Sequence, residues 1–191
     1  MIKNNIFLTG SPGVGKTTII ENVITSLSLN PEGFMVCREE KRGKWTKFFL
    51  LSANQYFKGE YYQGRSNKDY EEIFPDDRAV FVWRDYPGPE WNINKEAFNK
   101  FGVKLLNNVD IKDLVIMDEL GRFELKADKF QKRVIEILKS PTPVFGILKN
   151  EHNVFLDKIR VIPEVDIYQV TETNRDNIYK RVKDRIKILI K

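Results

Sequence analysis

An α/β fold with a largely parallel central sheet is what this sequence predicts, and three observations carry that prediction. Short apolar runs at 6–8, 113–117, 143–148 and 166–170 alternate with segments of helical spacing. The first run breaks into a glycine-rich turn that opens onto the first helical segment. Alternating strands and helices favour a parallel sheet covered on both faces, and such sheets bind ligands at the carboxyl ends of their strands.

The elements follow in order. Ile6, Phe7 and Leu8 form the first buried strand, and Ile19, Ile20, Val23, Ile24 and Leu27 recur at helical spacing after the turn. Pro31 and Gly33 mark the next turn. "GFMVCREEKRGKWTKFFLLS" then reads as two extended runs joined at Arg42-Gly43, a β-hairpin inserted after the first helix. Residues 53–78 carry no clear period. "AVFVW" at 79–83 is a strand, "DYPGPEW" a turn, and 94–108 a helix that Gly102 weakens. "DLVIM" is a buried strand that ends in Asp118-Glu119. Ala127, Phe130, Val134, Ile137 and Leu138 mark a helix. Strands at 143–148 and 166–170 follow, and Thr171 or Thr173 is the expected N-cap of the last helix.

The chain has 191 residues, enough for one domain over 1–191 with a substantial core. Charged residues make up 31% and hydrophobic residues 41%, an ordinary globular composition. The single cysteine, Cys37, has no partner within the chain for a disulfide, which suits a reducing compartment. No run is long and apolar enough to span a bilayer, and the N-terminus lacks a signal-peptide pattern. Cytoplasmic location, no membrane association and a monomer are expected. The formal net charge is +5, with much of the excess in "YKRVKDRIKILIK". There Ile178, Val182, Ile186 and Leu189 form an apolar stripe, and the lysines and arginines fall mostly off it. A solvated helix face is the preferred reading and a nucleic-acid surface the alternative.

"GSPGVGKTT" carries the chemistry. It satisfies G-x-x-x-x-G-K-[ST] with Gly10, Gly15, Lys16 and Thr17 in the fixed places, after a strand and before a helix. Gly10, Ser11, Pro12, Gly13, Val14, Gly15, Lys16, Thr17 and Thr18 are therefore expected to bind a nucleotide. In such a loop backbone N–H groups turn onto phosphate oxygens. The helix N-terminus faces the same charge. Lys16 reaches the β- and γ-phosphates, and the Thr17 hydroxyl is a Mg²⁺ ligand.

A carboxylate must stand behind that metal, and "DLVIMDE" supplies Asp118 at the end of a hydrophobic strand. Glu119 beside it is placed to orient a water and accept its proton, which suits hydrolysis. Its competing role is to cap "LGRF" or pair with Arg122. Arg122 is a candidate second cation on the developing negative charge, weighed against a salt bridge with Glu124. His152, the only histidine, reads as a surface residue. Together the two motifs predict a three-layer P-loop NTPase fold of the RecA-like (ASCE) type.

"GSPGVGKTT", "GF", "DLVIMDELGRFEL", "SPTPVFGILK" and "VTETNRD" occur in an order and spacing similar to the small P-loop nucleoside-triphosphatases, a family that includes thermophile enzymes and the cancer-related nucleoside-triphosphatase. The resemblance covers about two-thirds of the chain. It implies slow, Mg²⁺-dependent hydrolysis of ATP, GTP and other nucleoside triphosphates to diphosphate and phosphate, with little base preference. It implies that Glu119 is the hydrolytic acid and that Arg122 takes the place of the lysine in the family's "DEIGKMEL". It also puts Asn174 and Arg175, in "NRD", near the base or ribose. Three departures stand out. The family's "GFYTEEVR" reads "GFMVCREEKRG" here, which displaces its acidic pair and arginine. Ile147 replaces a threonine at a strand end. Residues 53–93 align poorly and hold Tyr56, Phe57, Tyr61, Tyr62, Tyr70, Phe74, Trp83, Tyr86 and Trp91, either as a cover packed on the sheet or as a lid that stacks a base. Two other functions compete: a kinase with an acceptor pocket in 33–93, and a nucleotide-gated module that binds RNA or protein.

Overall fold

A computed structural model describes residues 3–59, 78–84, 88, 90–107 and 114–191. Its elements are β1 (Asn5–Thr9), α1 (Lys16–Ser26), β2 (Glu32–Lys41), β3 (Lys44–Ser52), α2 (Ala53–Lys58), β4 (Arg78–Trp83) and β5 (Asn92–Ile93). A π-helical segment (Ala97–Gly102) then runs into α3 (Val103–Asn107). After it come β6 (Val115–Leu120), a 3₁₀ turn (Phe123–Lys126), α4 (Asp128–Leu138), β7 (Val144–Leu148), α5 (Val154–Arg160), β8 (Val165–Gln169) and α6 (Arg175–Leu189).

The strands form one sheet in the order β5-β4-β3-β2-β6-β7-β1-β8. The strands from β2 to β8 in that order are parallel, while β3, β4 and β5 extend one edge antiparallel. The expected hairpin is present. Arg42 and Gly43 both adopt positive φ, the geometry of a two-residue hairpin turn. Its first strand is also a full member of the parallel sheet, since β2 pairs with β6.

Alternate residues on the central strands feed two cores, because successive side chains point to opposite faces. Ile6, Leu8, Ile116, Phe145 and Ile147 pack against α1 and α6 through Ile20, Val23, Ile24, Ile178, Val182 and Ile186. Phe7, Val115, Met117, Val144 and Leu148 pack on the other face against α4 and α5 through Phe130, Val134, Phe155 and Leu156. The result is three layers. In the apolar stripe of the basic last helix Ile178, Val182 and Ile186 are buried and Leu189 is partly buried against the same core.

Two expectations change. The last helix is not capped by Thr171 or Thr173: it begins after Asn174, whose side-chain oxygen instead accepts from the Thr171 N–H at 2.8 Å. The helix expected at 94–108 is π-wound over its first part. Gly102 sits there because a Cβ would stand 2.9 Å from the Phe130 ring, so close packing with α4 decides that position. Of the aromatic segment, Tyr56 and Phe57 pack on the α1 side and Trp91 meets Phe48 at 5.4 Å between ring centroids, as a cover on the sheet would. Tyr61, Tyr62, Tyr70, Phe74 and Tyr86 lie outside the described residues.

Candidate active site

The loop between β1 and α1 wraps the carboxyl end of the sheet. Gly10 has φ +142°, and a Cβ there would meet the Val170 carbonyl oxygen at 2.3 Å, so only glycine lets the loop lie against the end of β8. Val14 turns into the core, which anchors the loop. Gly10, Ser11, Pro12, Gly13, Gly15, Lys16, Thr17 and Thr18 line a cavity of about 640 Å³. Its far wall is made of Arg38, Phe48, Glu119, Arg122, Lys149, Asn150 and Glu151. The loop and the acidic pair predicted to converge are thus in one place.

Asp118 lies at the floor, 2% exposed, with the Thr17 hydroxyl near enough to its carboxylate to favour the charged form. Burial pushes its pKa up to about 7, against the opposing pull of Arg38 and Lys16. Two hard oxygen donors side by side, one a buried carboxylate that a cation would relieve, match what Mg²⁺ takes. The Lys16 ammonium donates to the carbonyls of Gly10 and Ser11 at 2.9 and 2.8 Å, and burial lowers its pKa. The β6–β7 ladder shifts register between Met117 and Leu120, at the acidic pair itself. The Asp118–Glu119 peptide is cis. Irregular ladders of this kind re-aim side chains beside active sites.

Glu119 pairs with neither Arg122 nor a turn N–H. Its Oε2 accepts from Arg38 Nη2 at 3.2 Å and its Oε1 lies 3.0 Å from Lys149 Nζ. The Arg122–Glu124 bridge, the alternative weighed for Arg122, does not form either. The Glu124 carboxylate is buried and accepts from the Gly121 N–H at 2.9 Å, while the exposed Arg122 guanidinium stacks over Phe123 at 5.2 Å. Lys149 Nζ lies 5.3 Å from the same ring. The Lys149 stem crosses Gly121, where a Cβ would meet it at 2.8 Å.

Arg38 and Lys149 are the site residues that sequence reasoning missed. The only signal for Arg38 was the displaced arginine of "GFMVCREEKRG", and the only one for Lys149 was its place as the last residue of "SPTPVFGILK". Arg175 lies outside the cavity wall but runs along the loop, its Cδ 3.9 Å from where a Gly15 Cβ would stand. The side chain of Asn174 is taken up locally, donating to the Gln169 carbonyl at 2.9 Å. Ile147 is buried in the core. His152 is a surface residue beside Asp157 at 3.0 Å, and no cluster of three or more metal-type ligands occurs among the described residues. No described helix is long and apolar enough to cross a membrane.

Comparisons with known proteins agree with this geometry. The chain is 28% identical over 187 residues to the nucleoside-triphosphatase THEP1 of Thermotoga sp. (strain RQ2), covering 95% of both chains. It is 24% identical to the cancer-related nucleoside-triphosphatase homolog of Bos taurus, covering 93% and 94%. Its fold matches the crystal structure of THEP1 from Aquifex aeolicus at a TM-score of 0.67, with 23% identity over 93% and 96% of the two chains. It matches the solution structure of a human cancer-related nucleoside triphosphatase at 0.70, with 20% identity over 96% and 97%. The family model described as NTPase matches residues 5–183, which takes in the loop, the acidic pair and both cations that flank it, and the chain belongs to that family.

Proposed function

We propose that this protein hydrolyses nucleoside triphosphates, ATP and GTP among them, to the diphosphate and phosphate, with Mg²⁺, weak base preference and a modest rate. Family membership supports the hydrolysis. One observation carries the mechanism: a carboxylate, Glu119, stands on the wall opposite the phosphate loop with cations at both its oxygens.

The loop N–H groups and Lys16 bind and align the phosphates. Thr17 and Asp118 would hold Mg²⁺, which when bound offsets charge on the β- and γ-phosphates. Glu119 takes a proton from water as the water oxygen bonds to the γ-phosphorus. The bond from that phosphorus to the β–γ bridging oxygen breaks, and its electron pair stays with the diphosphate. Arg122, on the cavity wall, adds positive charge beside Lys16 as that oxygen becomes anionic. With such a cation supplied by the same chain, the rate is expected on the order of 10⁻² s⁻¹.

The test is single-turnover hydrolysis by Glu119→Gln. Losing a general base costs ~10²–10⁴ in rate. A variant within a few-fold of wild type would remove Glu119 from that role. A phosphorylated acceptor accumulating in place of phosphate would assign a kinase instead. The location that fits this activity and the lone cysteine is the cytoplasm, and the expected working form is a monomer.

A further inference from the structure

Three cations of the cavity, Lys16, Arg38 and Lys149, are each engaged by a protein oxygen, whereas Arg122 stacks on Phe123. Lys16 is bound to the Gly10 and Ser11 carbonyls, and Arg38 and Lys149 are bound to Glu119. The last two reach Glu119 from opposite sides. β6, which bears Glu119, lies between β2, which bears Arg38, and β7, which ends just before Lys149. The Lys149 N–H donates to the Leu120 carbonyl at 2.9 Å, which ties its backbone to β6. Glu119 is only 15% exposed in its side chain, whereas Arg38 is 41% and Lys149 31% exposed, so the two cations have room to swing and the carboxylate has little. Both line the cavity that the loop lines.

A base works only if one of its oxygens can come within hydrogen-bond reach of the attacking water. In the arrangement seen here each oxygen of Glu119 already holds a cation. A terminal phosphate offers the same cations three anionic oxygens and a bidentate match for a guanidinium.

We propose that Arg38 and Lys149 are γ-phosphate ligands that exchange Glu119 for the terminal phosphate, so that a triphosphate, and not a diphosphate, releases the base. The two residues thereby read the presence of the γ-phosphate. This rests on Glu119 being the base, but the exchange itself is an equilibrium property and can be measured without turnover.

The experiment is calorimetric titration with Mg²⁺ and either ADP or a non-hydrolysable ATP analogue, on wild type, Arg38→Ala, Lys149→Met and Glu119→Gln. Arg38→Ala and Lys149→Met should each weaken the analogue ~10- to 100-fold, the worth of one charged hydrogen bond, and leave ADP within about twofold. Arg38→Lys should restore part of that affinity. Glu119→Gln should bind the analogue about tenfold tighter, because the competing carboxylate is gone, again with ADP unchanged. Its gain should shrink in combination with Arg38→Ala. Equal changes for ADP and the analogue, or a Glu119→Gln protein that binds the analogue no tighter, would overturn the exchange. If instead the affinities behave as stated and Glu119→Gln still hydrolyses at the wild-type rate, the exchange stands and the base assignment fails.

Discussion

The hydroxyl of Thr17, the second residue of α1, stands close enough to the buried carboxylate of Asp118 on β6 to favour its charged form. This proximity joins the two sequence motifs, 101 positions apart, into one oxygen-rich site. Asp118→Asn keeps the shape but removes the charge. The expected result is a higher Mg²⁺ requirement for hydrolysis, with maximal rate partly recovered at saturating metal. A Mg²⁺ titration of activity in the wild type and the variant checks this.

Lys16 spans the loop by bonding the Gly10 and Ser11 carbonyls, and it is the loop's only side-chain cation. ATP with Mg²⁺ at 100 times its Kd stabilises a protein by ~2.7 kcal/mol. For a chain of this size that raises Tm by roughly 5–10 °C. Lys16→Ala should lose most of the shift in a thermal melt. An undiminished shift would put the nucleotide elsewhere.

Base preference should be weak. A loop of this kind is expected to touch phosphates alone, Asn174 spends its side chain on Thr171 and Gln169, and Arg175 runs along the backbone beside Gly15. One hydrogen bond or stacking contact is worth ~1 kcal/mol, so affinities for ATP, GTP, CTP and UTP should fall within about tenfold. Competition binding measures this, and a preference above about a thousandfold would require a purpose-built pocket.

Glu124 makes stability depend on pH. Burial raises its pKa to about 7, while hydrogen bonding to the Gly121 N–H pulls the other way. The folded pKa therefore lies above the ordinary ~4.3. The contribution is full below about pH 4.3 and is lost as pH rises through about 7, because the unfolded chain releases the proton first. The loss is on the order of a few kcal/mol. Glu124→Gln should lose less Tm than wild type between pH 5 and 8, measured without nucleotide. Parallel Tm curves for the two proteins would contradict this account.

The sequence by itself determined the phosphate loop, the Asp118-Glu119 pair and the strand-helix alternation that becomes a three-layer sheet. Each is written in contiguous residues. A phosphate loop needs only the backbone N–H groups of one turn, and a continuous apolar run makes a strand buried on both faces. The hairpin was legible for the same reason, since Arg42-Gly43 can take two positive φ values between extended runs. Only the tertiary structure decided what Glu119 touches. Arg38 is 81 residues away and Lys149 is 30, and they meet the carboxylate because β2 and β7 were sorted onto either side of β6. Strand order is set by how whole helices and strands pack, and no local spacing records it. The same holds for Glu124, which a charged pattern assigned to Arg122 and the fold buried beneath the Gly121 N–H. Short-range chemistry was therefore readable in the chain, whereas the charges that tune it came from strands that neighbour one another only once folded.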